Sequence, residues 1–255
     1  MTTLSHRLDR TIVIRAARET VFRFFTDEAR WAAWWGAGST VDAKPGGRLL
    51  IRYPDGTEAV GEVLEVRAPA HFAFTYGFVS GKLIPPGGSR VTIRLESAAD
   101  GTRLHLAHEF ADDSIREEFV QGWRYQLALF ANVVANEVHA AAADRVDAWF
   151  RAWSEPNDEV RRAAFAGIAA SEISFRDRFS MTDGLDDLVG HTGAAQRFMP
   201  GMRLVRRGDV SHCQGTAVVD WVALKGESEE RGRGSNVFVF NAEGRIESVT
   251  GFWGR

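Results

Sequence analysis

Hydrophobic and polar positions change period several times along this chain, and each change predicts an element. Residues 11–15 alternate, with Ile12 and Ile14 on one side, and predict a first strand. Thr20 to Phe25 predicts a short helix, and the segment Trp31-Ala32-Ala33-Trp34-Trp35-Gly36 is too rich in tryptophan for a plain surface loop. Five alternating stretches follow at 47–53, 58–66, 71–78, 89–96 and 103–110. Pro54-Asp55-Gly56, Pro69, Pro85-Pro86-Gly87-Gly88 and Asp100-Gly101 supply the turns between them. Strands in series with short turns predict an antiparallel meander, which needs cover on one face. The period then becomes helical. Ile115, Phe119, Trp123, Leu127, Phe130, Val134 and Val138 recur in steps of four and three, and Ser114-Ile115-Arg116-Glu117 fits a capping box.

The helical pattern restarts in a new phase at Val146, Trp149, Phe150 and Trp153, after an Ala-rich hinge from Ala140 to Ala143. A domain boundary is expected there, between domains at 1–140 and 145–255. Glu155-Pro156 ends the second helix, and Asn157 suits the cap of a third that runs to about Ala170. Ile173, Phe175 and Asp177 share a strand parity. A loop is predicted at 184–190, a short helix at 191–199, and strands at 203–213, 215–225, 235–241 and 245–253. Residues 226–234 read as a solvated hairpin tip and Asn241-Ala242-Glu243-Gly244 as a hairpin turn. The fold class is therefore α+β in two domains.

Period two sorts the faces of the first sheet. Phe72, Phe74, Tyr76 and Phe78 point one way, as do Val91, Ile93 and Leu95, and Leu104, Leu106, His108 and Phe110. On 58–66 the apolar parity is Val60, Leu64 and Val66, which places Glu62 inward beside His108. Ionisable groups on an inward face are costly unless paired. They are either polar anchors in a ligand cavity or a mutually satisfied pair.

Composition narrows the function. A net charge of −3 over 255 residues gives no basic excess for phosphate binding, so no nucleic-acid partner is expected. One cysteine, Cys213, excludes an internal disulfide. His212 and Cys213 are adjacent on a strand and point oppositely, and His191 falls on a helix, so no metal is expected. No apolar run reaches the ~18 residues of a membrane span, so no membrane partner and a cytoplasmic location are expected. Eight Trp and seventeen Phe suit either two filled cores or aromatic-lined cavities.

GTEAVGEVLEVRAPAHFAFTY (56–76), GTRLHLAHEF (101–110) and the Gly122-Trp123 pair carry a resemblance over roughly residues 10–140. This half resembles the activator-of-heat-shock-protein-90-ATPase homologues of the START and pollen-allergen-like helix-grip superfamily. The resemblance implies an antiparallel sheet gripping a long C-terminal helix, with a cavity for hydrophobic small molecules. Trp34, Trp35, Glu62, Tyr76, His108 and Trp123 are the candidate lining residues.

VDAWFRAW (146–153), ISFRDRFSMTDGLDDLVGHTGA (173–194) and NVFVFNAEGRIESVTGFW (236–253) carry a second resemblance. Residues 145–255 resemble the SnoaL-like polyketide cyclases of the nuclear transport factor 2-like superfamily. That implies a cone-shaped α+β barrel with a curved sheet around a pocket. Asp177 falls where ketosteroid isomerases and SnoaL-type cyclases place an acidic residue, which suits a general base. Trp149 stands where the isomerases have the oxyanion-hole tyrosine, and Asn236 where they have a protonated aspartate. This departure argues against steroid-isomerase chemistry. Asp220 shares parity with Val218, Val222 and Leu224, and faces either the pocket beside Asp177 or solvent in a cross-strand pair. Arg176 falls on the opposite parity from Asp177, which weakens an epoxide-hydrolase reading.

Three functions remain open. The first is a binding module for hydrophobic or aromatic small molecules, with no cofactor. The second is a polyketide-cyclase- or isomerase-type enzyme with Asp177 as base. The third is a dimeric interaction or co-chaperone-like stress protein. A homodimer through the C-terminal domain is expected, with Val219, Trp221, Val237 and Val239 on the outer sheet surface.

Overall fold

The computed structural model describes residues 3–254. The chain divides into two compact units at Ala135/Asn136, within the last turn of a long helix. Each unit has its own sheet, and among the described residues no strand is shared between the two.

The first unit is α+β. Its strands are β1 (His6–Ile14), β2 (Thr40–Val41), β3 (Arg48–Arg52), β4 (Glu58–Arg67), β5 (His71–Phe78), β6 (Ser89–Ala98) and β7 (Gly101–Phe110). They form one antiparallel sheet in the order β1-β7-β6-β5-β4-β3-β2. Helices α1 (Arg18–Thr26) and α2 (Glu28–Trp35) lie between β1 and β2. The tryptophan-rich segment is thus helical. Its start is set by Asp27, whose carboxylate accepts from the Arg30 N–H. Trp31, Trp34 and Trp35 are all buried.

Helix α3 (Asp113–Val138) covers the sheet as expected. Trp123, Leu127, Phe130 and Val134 are buried, while Ile115, Phe119 and Val138 are half-buried. Large side chains fill the space between helix and sheet. Phe130 stacks on Phe25, and Phe119 meets Tyr76 edge-on. The expected capping box does not form. Asp112 is the capping side chain, accepting from both the N–H and the hydroxyl of Ser114. An aspartate one residue before the helix takes the Ser114 N–H that the Glu117 side chain would have accepted, and it also holds the serine hydroxyl.

The parity expected on β4 is reversed. Ala59 and Val63 are buried, while Glu62 is exposed and Leu64 is 41% exposed. A bulge between Val63 and Glu65 shifts the register against β5, so residues on either side of it do not share one parity. Small residues face inward here because the strands approach closely. A Cβ at Gly61 would lie 1.7 Å from the Thr75 carbonyl oxygen.

The second unit contains α4 (Ala142–Trp153), α5 (Asp158–Ile168), β8 (Ala169–Arg176), β9 (Met181–Asp183), α6 (Leu185–Phe198), β10 (Met202–Cys213), β11 (Thr216–Lys225), β12 (Glu229–Phe240) and β13 (Ile246–Trp253). Sheet order is β10-β11-β12-β13-β8-β9, with β13 and β8 parallel and the other pairs antiparallel. The sheet is open at both edges. Asn157 caps α5, accepting from the N–H groups of Glu159 and Val160, as its position predicts.

Three expectations change in this unit. The loop at 184–190 is the first part of α6, because the Leu188 and Val189 side chains bury against the core. The hairpin tip shrinks, since β12 already begins at Glu229. On β11 the inward residues are Ala217, Val219, Trp221 and Ala223, so Val219 and Trp221 do not form an outer surface. Both faces of β11 are apolar, and the face carrying the larger side chain, Trp221, turns inward. Val237 and Val239 do lie on the outer parity of β12, half-buried.

Gly61→Ala is expected to cost about 1–3 kcal/mol, because the added methyl meets backbone that has no room to yield. Urea denaturation measures it. An unchanged midpoint would show that β4 and β5 are not held this closely.

Candidate functional site

In the first unit, β5, the 53–57 turn and α3 line a cavity of about 390 Å³ that is open to solvent on one side. Its walls include the rings of Trp35, Tyr53, Tyr76, Phe78, Phe119 and Trp123. Leu83 and Tyr125 stand exposed at its rim. The rings meet mostly edge-on. Trp35 lies 5.9 Å from Trp123 at 71°, and Tyr76 lies 5.5 Å from Phe78 at 78°. Gly122 lines the same space, and a Cβ built there meets nothing within 4 Å.

The polar groups of this wall are few and ordered. Tyr53 and Tyr76 share a hydrogen bond between their hydroxyls at 2.9 Å. Burial pushes the Tyr53 phenol up to about 12 and raises that of Tyr76 as well, so both are neutral at ordinary pH. Gln126 donates to the Trp34 carbonyl. The Trp35 indole N–H is buried without a hydrogen-bond partner among the described residues, an unmet donor that costs about 1–3 kcal/mol.

Behind the wall, Trp123 donates its indole N–H to His108 Nδ1 at 2.9 Å. An indole N–H only donates, so Nδ1 is the acceptor and the neutral ring carries its proton on Nε2. That proton goes to Ser89 Oγ at 2.8 Å, and the serine hydroxyl donates to the Tyr76 carbonyl at 2.9 Å. His108 is fully buried, and burial pushes its pKa down to about 3. It is an internal brace.

The structure therefore brings Trp35, Tyr76 and Trp123 to one cavity and separates them from the other candidates. Trp34 is a core residue whose indole donates to the Phe24 carbonyl at 3.2 Å. Glu62 is solvent-facing for the reason given above. His108 lies one layer behind. Tyr53, Phe78, Phe119, Gly122 and Gln126 also line the cavity and are missed by the sequence reading. Phe119 and Gln126 sit one turn either side of Gly122-Trp123, a spacing that signals a shared helix face.

In the second unit a smaller cavity, of about 170 Å³, opens between β12, β13 and α6. Asp177, Asn236, Trp153, Trp221 and Trp253 line it. Asp177 is half-buried, just past β8. Its Oδ1 accepts from the Phe179 N–H at 2.8 Å and its Oδ2 from the Trp253 indole at 3.0 Å. Asn236 accepts the Trp221 indole N–H on Oδ1 at 2.9 Å, which turns its NH2 group to the remaining space as a donor. The two side chains converge at Gly251. A Cβ there would lie 3.1 Å from Asp177 Cβ and 3.2 Å from Asn236 Oδ1.

Asp220 is not part of this cavity. It is exposed and accepts from Ser235 Oγ at 2.5 Å, because β11 turns its Trp221 face inward. Trp149 is fully buried beneath the cavity, against Phe165, Phe175 and Phe238, and does not line it. Trp153, one turn on, takes that place. No cluster of three His, Cys, Asp or Glu side chains suited to a metal occurs among the described residues. No helix among them is long and apolar enough to cross a membrane.

Comparison with known proteins gives the following. Residues 15–135 match the family model of the Activator of Hsp90 ATPase homolog 1-like proteins. No curated protein matches the chain. Among solved structures, a SnoaL-like family protein from Agrobacterium tumefaciens is 24% identical, covering 47% of this chain and 99% of its own, with a TM-score of 0.43. The Aha1 dimer from Colwellia psychrerythraea is 14% identical, covering 48% of this chain and 90% of its own, with a TM-score of 0.43. A Mesorhizobium loti protein is 18% identical, covering 51% and 96%, with a TM-score of 0.45.

His108 generates a pH prediction. Its folded pKa lies near 3 and its unfolded value near 6.5, so the unfolded chain takes up a proton that the folded chain refuses. Stability from this group is complete above pH 6.5 and falls as pH drops toward 3, by about 1.4 kcal/mol per unit inside that window. Urea midpoints should show a flatter acid slope in His108→Gln. The His108 ring proton shifts in NMR should stay constant from pH 8 to 4, and a titration near 6.5 would sink the assignment.

Proposed function

We propose that the protein binds hydrophobic or aromatic small molecules, with the cavity of the first unit as the principal site. The observation that carries this is a hollow of about 390 Å³ walled by six aromatic rings and kept open by Gly122. Ligand pockets run from roughly 300 to 1,000 Å³, and are mostly apolar with a few placed polar groups. The first cavity lies inside that range and the second, at about 170 Å³, lies below it. The paired phenols are the polar groups that would orient a guest. A helix-grip domain over 1–140 and a SnoaL-like domain over 145–255 are the assignments that go with this reading.

Gly122→Leu tests it without touching the packing. The side chain would grow into the empty cavity, and a leucine favours the helix over glycine by up to about 1 kcal/mol. The variant should melt at or above the wild-type temperature yet lose most binding of the neutral probe N-phenyl-1-naphthylamine, followed by fluorescence. Equal binding by both proteins would place the probe elsewhere.

A second reading, enzymatic, rests on the convergence of Asp177 and Asn236 across Gly251. An Asp177 carboxylate oxygen would take a proton from a carbon beside a carbonyl, while the Asn236 NH2 donates to the oxygen on which charge develops. The proton would return to the product from the same carboxyl group. The small volume limits a substrate to a single ring or a short chain, and SnoaL-like cyclase or isomerase chemistry is the reaction class. Deuterium exchange into a small cyclic ketone, read by NMR, measures it. Asp177→Ala should slow exchange by about 10²–10⁴-fold; no exchange above buffer with the wild type would remove the reading.

A further inference from the structure

We infer that the cavity of the first unit selects guests carrying a protonated amine. This rests on the cavity being a ligand site, and adds to it the charge of the guest. Thirteen residues line the cavity, and those with a formal charge are Asp55 and Glu118; Lys, Arg and His do not occur among them. Asp55 is fixed in place by its bond from the Thr57 N–H at 2.9 Å. Glu118 is exposed on α3 and forms no ion pair among the described residues. A carboxylate guest would enter an apolar space with no cation to neutralise it and two like charges at the wall, which is costly. An ammonium group meets the opposite situation. The faces of Trp35, Trp123 and the two tyrosines carry negative charge density that attracts a cation within about 6 Å.

The wall itself reports the sign of this field. The charge of Asp55 is felt at the Tyr53 phenol, where it adds to burial in opposing ionisation. A site that resists an anion on its own side chain resists one on a guest. The guest class that fits is an apolar or aromatic body ending in a primary to quaternary amine. The rings enclose the body, and the nitrogen sits toward Asp55 and Glu118.

The test uses the full chain and three probes of one skeleton: 3-phenylpropylamine, 3-phenylpropan-1-ol and 3-phenylpropanoate. Binding is followed at pH 7 and low salt by calorimetry and by quenching of tryptophan emission. The amine should bind about tenfold tighter than the alcohol, and the acid more weakly than both. Raising the salt should narrow the gap, since the carboxylates are near solvent. In the double variant Asp55→Asn with Glu118→Gln, the amine should fall to the affinity of the alcohol, and the alcohol should be unaffected. The amide introduced by Asp55→Asn retains an oxygen to accept from the Thr57 N–H, so the turn is preserved. Gly122→Leu should weaken all three probes together. Equal affinity for amine and alcohol, tightest binding by the acid, or an amine preference that survives the double variant would overturn the charge selection and leave the cavity reading in place. Failure of all three to bind would overturn both.

Discussion

One uncharged imidazole in the interior of the first unit holds its helix to its sheet. Both nitrogens of His108 are committed, Nδ1 to the indole of Trp123 on α3 and Nε2 to Ser89 on β6. A second proton would sit on Nδ1 and face the Trp123 indole N–H, itself a donor, in a ring cage of Phe110, Phe119 and Tyr76. Apolar burial alone is non-directional and leaves a helix free to roll against a sheet. The indole-to-imidazole bond removes that freedom. It fixes the turn of α3 that brings Phe119, Gly122, Trp123 and Gln126 to the hollow, with Glu118 and Tyr125 beside them.

The two units meet a common problem with different outcomes. Each packs a sheet face rich in aromatic residues against helices, and in each a glycine stands where a side chain would close the space. In the first unit Gly122 leaves a large void next to the helix. In the second, Trp149, Phe175 and Phe238 pack together in the interior, and at Gly251 a Cβ would press on the Asp177 Cβ and the Asn236 amide oxygen. Volume and chemistry therefore part company: the larger space is walled by neutral phenols and indoles with its two carboxylates near solvent, and the smaller has a half-buried carboxylate beside an amide.

Much of this architecture is legible in the pattern of apolar positions. The order of strands in the meander, the long covering helix with Trp123 buried, the Asn157 cap and the hairpin at Asn241 all follow from local rules. The expectations that fail have identifiable causes. The bulge between Val63 and Glu65 breaks period two, and parity counted across it sends Glu62 inward. Strand β11 is apolar on both faces, so alternation alone does not decide which face is buried, nor on which side Asp220 falls. Trp149 and Trp153 lie a turn apart on α4, and a helical face does not tell which of the two reaches the cavity and which the core. Strand parity places His108 inward, but its bond to Trp123 joins residues fifteen positions apart through a three-dimensional approach that no local spacing encodes.

The paired hydroxyls of Tyr53 and Tyr76 carry one more implication. Two phenol groups 2.9 Å apart hold two protons but use only one between them. Either oxygen can be the giver, and reversing the direction needs only rotation of two hydrogens, with every heavy atom at rest. The spare proton then emerges at one ring or the other. The pair can thus place its free phenolic proton at either of two points, while the backbone of the sheet stays as it is.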